Sequence, residues 1–348
     1  MSGTLETKIM TPTEATGIVR GAFDEVTAAL PMARLLPVKS TQGSLDVEWE
    51  KNVSHTQDLM SYSTWDSEAE YGSAQGGFNK QKIELLPMRK RLRVTEQDKI
   101  TFGADDTRLK GTLDEMLTKL AKEAAWRVEK ARIDVLLNAK LTLNENGVKG
   151  TFDFGRNKKL SPTVATPWDA ASSDPVTDIL AWVKEVKNLK GLNPTAVITT
   201  SDVLEVLETN AAFIQLVYGS SSAPTRIGRD DVLGVLRQYA HINNVLVADE
   251  AYTNVSVDYQ TFVTDLLPRG TFLLAPSLDS DTLGYTALGP TVEAADANYG
   301  ISGENSGFIG AVYRTEEPPA HEAYVNGSVL PVLERVDSTV SASVLTQP

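Results

Sequence analysis

Apolar residues recur at steps of three and four through residues 112–140, which predicts one long α-helix with a single packed side. The stripe consists of Leu113, Met116, Leu117, Leu120, Ala121, Ala124, Val128, Ala131 and Val135. Thr112 and Glu115 have the spacing of a capping box, so the helix is expected to begin at Thr112. A strict heptad would place Glu123 and Arg127 in the seam, which favours a single helix over a coiled coil.

Weaker patterns precede this helix. Residues 12–30 carry apolar side chains at every fourth position behind Pro12, which predicts a shorter helix. The chain from Pro31 to Ser44 contains two prolines and is expected to form an extended arm. Residues 45–53, LDVEWEKNV, alternate apolar and polar positions, as a strand with one buried face does.

Helical and strand-like segments alternate after Asp174, which predicts a compact α/β unit. The expected helices are 174–191, 201–208, 211–217 and 230–240, and the expected strands are 194–200, 243–252 and 271–276. Residues 141–173 are a polar connection before this unit. The tail is rich in β patterns at 307–317, 321–336 and 340–344. Within it, Asn326-Gly327 predicts a two-residue hairpin turn.

Charge is distributed unevenly between residues 57 and 94, in a chain whose formal net charge is −13. Residues 57–71 and 80–94 predict the two arms of an extended hairpin around the segment GSAQGG. The outgoing arm carries Asp66, Glu68 and Glu70, and the returning arm carries Lys80, Lys82, Arg89, Lys90, Arg91 and Arg93. With a turn near Gln75, Glu70 lies opposite Lys80 and Glu68 lies opposite Lys82. Each such cross-strand pair contributes about 0.2–1 kcal/mol.

Arg89, Arg91 and Arg93 share one face of the returning arm, because alternate residues of a strand point the same way. The hairpin cannot neutralise this face internally. The acidic chain is a poor general ligand for nucleic acid, whose phosphates attract basic surfaces. The arginine face is therefore expected to meet acidic groups on a neighbouring subunit.

The sequence contains no complete catalytic, cofactor or metal motif. There are no cysteines, and His55, His241 and His321 are far apart without metal-ligand spacing. Residues 279–284 begin like a calcium loop, but Leu283 stands where an oxygen ligand is needed. Asp249 and Glu250 follow a strand without an accompanying base or nucleophile, which favours a strand-end turn. No apolar run approaches the ~20 residues of a membrane span, and no signal peptide is evident. We therefore predict a non-enzymatic protein without cofactors or membrane contact.

The order of these elements resembles the major capsid proteins of tailed bacteriophages, which have the Hong Kong 97-type fold. The resemblance covers nearly the whole chain and is architectural, and the tail SVLPVLERVDSTVSASVL resembles the lambda-type branch most. It implies an α+β fold built from six parts. These are an N-terminal arm (1–50), an extended β-hairpin loop (51–100), a spine helix with the first part of a β-rich peripheral domain (101–173), an axial α/β domain (174–290), a peripheral return (291–336) and a final strand rejoining the axial domain (337–348).

The resemblance implies a major capsid protein whose hexamers and pentamers close into an icosahedral shell around double-stranded DNA. Portal, scaffold and decoration proteins would be its partners, and assembly would take place in the bacterial host cytoplasm before incorporation in the virion. No long leader precedes the arm, so a scaffold would be a separate protein. Some family members crosslink an extended-loop lysine to a peripheral asparagine of a neighbour, for which Lys80 or Lys82 and Asn326 are candidates here. Two alternatives are an encapsulin-like nanocompartment and an α/β enzyme or binding module with a β-rich appendage.

Overall fold

The computed structural model describes most of the chain. The described residues are 3–51, 79–103, 105–145, 147–189, 191–219, 224–255, 261–278, 283–301, 307–317 and 319–346. The α-helices are α1 (Pro12–Ala29), α2 (Glu96–Phe102), α3 (Asp106–Asn138), α4 (Pro175–Asn188), α5 (Ser201–Thr209), α6 (Ala211–Tyr218), α7 (Arg229–Ala240) and α8 (Val292–Ala295).

The strands are β1 (Thr4–Leu5), β2 (Val38–Ser40), β3 (Asp46–Lys51), β4 (Asn79–Glu84), β5 (Pro87–Arg93), β6 (Lys140–Glu145), β7 (Val148–Asp153), β8 (Ala196–Thr199), β9 (Asn244–Val247), β10 (Ala251–Val255), β11 (Thr261–Asp265), β12 (Thr271–Ala275), β13 (Gly284–Gly289), β14 (Ile309–Glu316), β15 (Pro319–Leu333) and β16 (Val340–Ser343). Short 3₁₀ helices lie at Pro31–Arg34, Lys158–Leu160, Ala297–Tyr299 and Val336–Ser338.

A six-stranded sheet and the helices α1 and α3 form the first of two bodies. The strand order is β1-β14-β15-β13-β2, and β5 pairs with β15. One face of this sheet is buried by α1 and α3, through a core that includes Leu113, Leu117, Val128, Phe308 and Val325. The apolar stripe predicted on the long helix is the side that packs here, because burying such a stripe is what stabilises an amphipathic helix.

The second body is the predicted α/β unit. Its four-stranded sheet has the order β16-β12-β8-β9, with α4, α5, α6 and α7 packed around it. Trp168 stacks on Trp182 with 5.8 Å between ring centroids, and Phe272 of β12 meets the Trp168 ring edge-on. β16 is antiparallel to β12, so the end of the chain returns to this sheet. Within the described residues, no helix is both long enough and apolar enough to cross a membrane.

The long helix extends further than the sequence indicated. α3 begins at Asp106, not at Thr112, because the Asp105 carboxylate accepts hydrogen bonds from the backbone N–H groups of Thr107 and Arg108 at 3.1 and 3.2 Å. Thr112 lies inside the helix, where its hydroxyl donates to the Arg108 carbonyl. The 33 residues of α3 give a rod of about 50 Å.

The Asn326-Gly327 hairpin prediction is wrong. β15 runs through both residues without a turn, and the β14–β15 ladder instead ends with Glu316 opposite Pro319. Gly327 serves close packing instead, since a Cβ there would lie 2.4 Å from Cδ1 of Phe308. The polar connection, in contrast, contains an unpredicted hairpin, β6–β7, in which Glu145 lies opposite Val148 and Gly147 has φ 85°.

The segment from Pro31 to Ser44 is not a free extended arm. It forms a 3₁₀ helix and then β2, which pairs in parallel with β13. Met32, Leu35 and Leu36 are fully buried. β13 pairs with β15 as well, so residues 284–289 belong to the six-stranded sheet and not to the α/β unit, where the boundary at 290 placed them.

A buried ion pair joins the N-terminal segment, α3 and the sheet. Glu129 and Arg132 are completely buried, with 3.0 Å between Oε2 and Nη1. Glu129 Oε1 accepts from the Met32 N–H at 2.6 Å. Arg132 Nε donates to the Thr286 hydroxyl at 2.8 Å, and that hydroxyl donates to the Leu36 carbonyl. Burial raises the pKa of Glu129 and lowers that of Arg132, because desolvation disfavours both charges.

Glu129→Gln is expected to lower the free energy of unfolding by about 3–5 kcal/mol, because it leaves the Arg132 guanidinium buried without a counter-charge. Urea unfolding of the unassembled subunit measures the change. Glu123→Gln on the same helix is the matched control: its pair with Lys90 is exposed, so about 1 kcal/mol or less should be lost. Equal losses in the two variants would show that the buried pair contributes no more than a surface pair.

Gly327→Ala is expected to cost about 1–3 kcal/mol, because the new methyl group collides with the Phe308 ring. The same urea unfolding measures it. Gly234→Ala in α7 is the control, since nothing lies within 4 Å of its Cβ and alanine favours the helix. The Gly327→Ala penalty should shrink in a Phe308→Leu background, and an undiminished penalty would contradict this contact.

Candidate subunit-contact surface

The base of the predicted extended loop is a two-stranded ribbon, β3–β4. Its apolar residues Val47, Trp49 and Ile83 are buried in a core shared with the C-terminal half of α3 and both sheets. Glu48, Lys82 and Glu84 alternate with them and are exposed, as a strand period of two requires. The ribbon is therefore anchored on one side and charged on the other.

The charge ladder of this ribbon has different members from those predicted. Glu48 lies opposite Lys82 and Glu50 lies opposite Lys80, so β3 supplies the acidic partners. Lys82 Nζ is also 2.7 Å from the Asp46 carboxylate, which raises the pKa of Lys82 through their hydrogen bond and charge attraction. The predicted pairing of Lys82 with Glu68 is therefore not the one found at β4.

Asp66, Glu68 and Glu70 lie outside the described residues. Residues 45–53 are predicted as a strand, but the lysines are predicted to pair with the acidic residues of 57–71 and not with this strand. Its alternation of Asp46, Glu48 and Glu50 with Val47 and Trp49 was the available signal. A search for any alternating acidic strand next to the lysines would have found it.

β5 carries the three arginines on one face, as predicted. The register places Arg89, Arg91 and Arg93 opposite Asn326, Tyr324 and Glu322 of β15. All three arginines are exposed, and β15 is the only partner of β5 among the described strands. The intervening Lys90 faces the helix side, where it forms an ion pair with Glu123 of α3 at 2.6 Å. The arginine face therefore lies on the side of the sheet away from α3.

Arg91 is engaged within its own subunit. Its guanidinium lies 5.0 Å from the ring centroids of both Tyr313 and Tyr324, and 3.4 Å from the Glu322 carboxylate. Cation–π contacts and an ion pair of this kind hold the arginine against the sheet. Arg91 therefore has a counter-charge within its own subunit, supplied by β15 and not by the hairpin.

Asn326, the candidate for a crosslink, is 3% exposed. Its amide donates to Glu293 Oε2 at 2.7 Å, and the other Glu293 oxygen accepts from the Tyr324 hydroxyl at 2.8 Å. Burial and the Glu293 hydrogen bond raise the pKa of Tyr324. In this arrangement the Asn326 amide nitrogen is bound to Glu293 inside the subunit.

A groove of about 1330 Å³ runs between α3, β5, β15 and the β6–β7 hairpin. Its charged residues are mixed: Lys119 and Lys122 lie near Asp114 and Glu115, and Arg127 pairs with Glu145 at 2.9 Å. Because positive and negative side chains are mixed, the groove does not favour a partner of either charge. The arginine face of β5 is the more strongly charged surface.

The remaining sequence candidates take structural positions. Asp249 accepts a hydrogen bond from the Ser201 N–H at 2.9 Å and so caps α5, in keeping with a strand-end turn.

His321 is buried in β15, and burial lowers its pKa, while His241 ends α7 with φ 58°. Residues 3–51, 79–103 and the later described ranges contain no group of three or more potential metal ligands. His55 and residues 279–282 lie outside the description.

The chain is similar in structure, but not in sequence, to known proteins. No family model matches the chain, and no curated protein matches it in sequence. A phage-related protein from Bordetella bronchiseptica is similar in structure, with a TM-score of 0.58, 12% identity and coverage of 100% of this chain and 99% of that one. A prophage protein of Escherichia coli CFT073, proposed to be a capsid protein, has a TM-score of 0.59, 12% identity and coverage of 94% and 98%.

At such low identity the similarity defines the fold alone. The chain has the mixed α+β, Hong Kong 97-type fold of phage capsid proteins, which confirms the predicted fold class.

Proposed function

We propose that this chain is the major capsid protein of a tailed bacteriophage, a structural subunit that assembles as hexamers and pentamers into an icosahedral shell around double-stranded DNA. The observation that supports it is the similarity in fold to phage-derived proteins over nearly the full length of both chains. The sequence identity to these proteins is only 12%, so the proposal rests on the fold. The acidic chain suits a container wall that does not bind its DNA cargo tightly.

The proposal assigns the extended loop a contact between subunits. Between Lys51 and Lys80 the sequence contains Asp58, Asp66, Glu68 and Glu70 and no lysine or arginine. The ribbon β3–β4 anchors both ends of this acidic segment. The exposed Arg89 and Arg93 of an adjacent subunit are the complementary surface. Such a contact would set subunit register, because electrostatic complementarity acts on specificity more than on affinity.

The N-terminal arm contributes to the stability of its own subunit in this proposal. Residues 3–40 pack on their own subunit: β1 pairs with β14, α1 lies on α3 and Met32 is bound to Glu129. Releasing this segment would expose a buried ion pair. We therefore assign it to the stability of the subunit and not to a tie between neighbours. Portal, scaffold and decoration proteins would be the partners of the assembled shell, in the bacterial cytoplasm and then in the virion.

Electron microscopy of the expressed protein is expected to show closed shells, because the proposed function is assembly. Sedimentation under a series of salt and crowding conditions provides a second measurement. A chain that remains monomeric or dimeric under every condition, and that is absent from virions of its phage, would refute the proposal. A ligand-dependent rise in melting temperature of a monomer would instead favour the enzyme or binding-module alternative.

Arg89→Glu combined with Arg93→Glu is expected to reduce shell yield at least tenfold, while the subunit stays folded, because it places like charges opposite the acidic loop. Arg91 is left unchanged because its contacts with Tyr313, Tyr324 and Glu322 would be lost with the substitution. Lys119→Glu with Lys122→Glu is the control: it makes the same change of charge at exposed lysines on α3 and should assemble normally.

A compensating variant sharpens this test. Adding Asp66→Lys, Glu68→Lys and Glu70→Lys to the Arg89 and Arg93 reversal restores opposite charges and should recover assembly. Normal shells from the Arg89 and Arg93 reversal alone would contradict the assignment of this face.

A further inference from the structure

The last backbone carbonyls of α3 need hydrogen-bond donors that the helix itself does not supply. The last carbonyls of any helix lack intrahelical partners and carry partial negative charge. α3 has no basic residue in its last turn, and the C-cap residue Ala139 that follows Asn138 adopts a left-handed φ of 49°. Its end is close to both sheets, so these carbonyls need partners from elsewhere in the fold.

A turn after β7 brings Arg156 to this position. Phe154 is fully buried, and its N–H donates to the Ala139 carbonyl at 2.9 Å, which holds the segment against the end of α3. The next residue, Gly155, has φ 71°, and its N–H donates to the Asp153 carboxylate at 2.7 Å. This backbone turn directs the Arg156 side chain towards the carbonyls in the last turn of α3.

The Arg156 guanidinium binds two different parts of the fold. Nη1 donates to the Leu137 carbonyl at 2.7 Å, and Nη2 donates to the Leu136 carbonyl at 2.5 Å. Nη2 also donates to the Thr339 hydroxyl at 2.7 Å. Burial lowers the pKa of Arg156 to about 10, against the opposing effect of Asp337. The side chain therefore remains cationic at neutral pH, as a helix C-terminus favours.

Thr339 lies in the connector that leads from the six-stranded sheet to the four-stranded sheet. β15 ends at Leu333 and β16 begins at Val340. Thr339 is fully buried, and the neighbouring Ser338 hydroxyl accepts from the Leu192 N–H of the α/β unit at 3.0 Å. The connector is thus held on the α/β side, while Arg156 holds it to the end of α3.

We propose that Arg156 is a positioning residue that fixes the direction of α3 relative to the α/β unit. Its planar guanidinium suits this task, since one rigid group can bind two carbonyls and a hydroxyl at set angles. A consequence, which rests on the proposed capsid function, is that Arg156 sets the angle between the two bodies of the subunit and hence the curvature of the shell.

Hydrogen exchange measured by mass spectrometry on the unassembled subunit tests the first part. Arg156→Met keeps the aliphatic stem and removes every donor. Exchange should accelerate about tenfold or more in the last turn of α3 and in residues 336–343, the order expected from losing charge-assisted hydrogen bonds. The β14–β15 ladder should be unaffected.

Lys159→Met is the matched control. Lys159 lies three residues further along and is exposed, with Nζ 2.8 Å from Glu185, so its loss should leave exchange at the end of α3 unchanged. Thr339→Val is the second variant, in case Arg156→Met does not fold: it leaves the helix carbonyls bound and removes the Arg156 contact together with the hydrogen bond from the Thr339 hydroxyl to the Val336 carbonyl. Thr339→Val should accelerate exchange in residues 336–343 and not in α3.

Shells from each variant, imaged by electron microscopy, test the consequence. Arg156→Met and Thr339→Val should give a broader or shifted distribution of diameters, and Lys159→Met should match the unchanged chain. Exchange in Arg156→Met equal to that in Lys159→Met would overturn the positioning role. Accelerated exchange with unchanged diameters would overturn the link to curvature. Failure of the unchanged chain to form shells would refute the capsid function while leaving the exchange test decisive for Arg156.

Discussion

The buried pair Glu129–Arg132 is the constraint on which the first body of this protein depends. Two desolvated charges are tolerable only when each is paired and hydrogen-bonded. The partners come from three places: the Met32 N–H, the Thr286 hydroxyl of β13 and, through Thr286, the Leu36 carbonyl. The arm, the long helix and the sheet must therefore meet in one arrangement. A shift of the arm or of the sheet would leave Glu129 or Arg132 buried without one of its hydrogen-bond partners.

The same helix is fixed at both ends by groups from outside it. Asp105 satisfies the first N–H groups, and Arg156 satisfies the last carbonyls. Between them α3 packs on the six-stranded sheet with one half and on the core shared by both sheets with the other. The helix thus packs against both bodies and connects them. This suits a subunit whose proposed task is to keep its shape within a shell.

Two Asn-Gly dipeptides show where sequence reasoning fails. Next to the first, at 146–147, β6 and β7 form a hairpin with Gly147 at φ 85°, although the polar segment around it gave no strand pattern. The pair at 326–327 has strong strand patterns on both sides and yet lies inside β15. There Glu293 binds the asparagine amide, and the Phe308 ring occupies the space that a side chain at Gly327 would need. Local turn preference amounts to only a small free energy, so contacts with distant residues overrule it.

The sequence by itself determined the elements with strong periodicity: the helix α1, most of α3, the α/β unit and the arginine face of β5. These depend on which side of an element is apolar, and that is a local property of the chain. Only the tertiary structure decided which strand pairs with Lys80 and Lys82, where α3 begins, that the arm is packed in its own subunit and that Arg91 is engaged there. Each of these depends on a partner distant in sequence. The sequence offers several charged residues that could be that partner. The choice follows from which arrangement leaves no buried charge or backbone group unpaired.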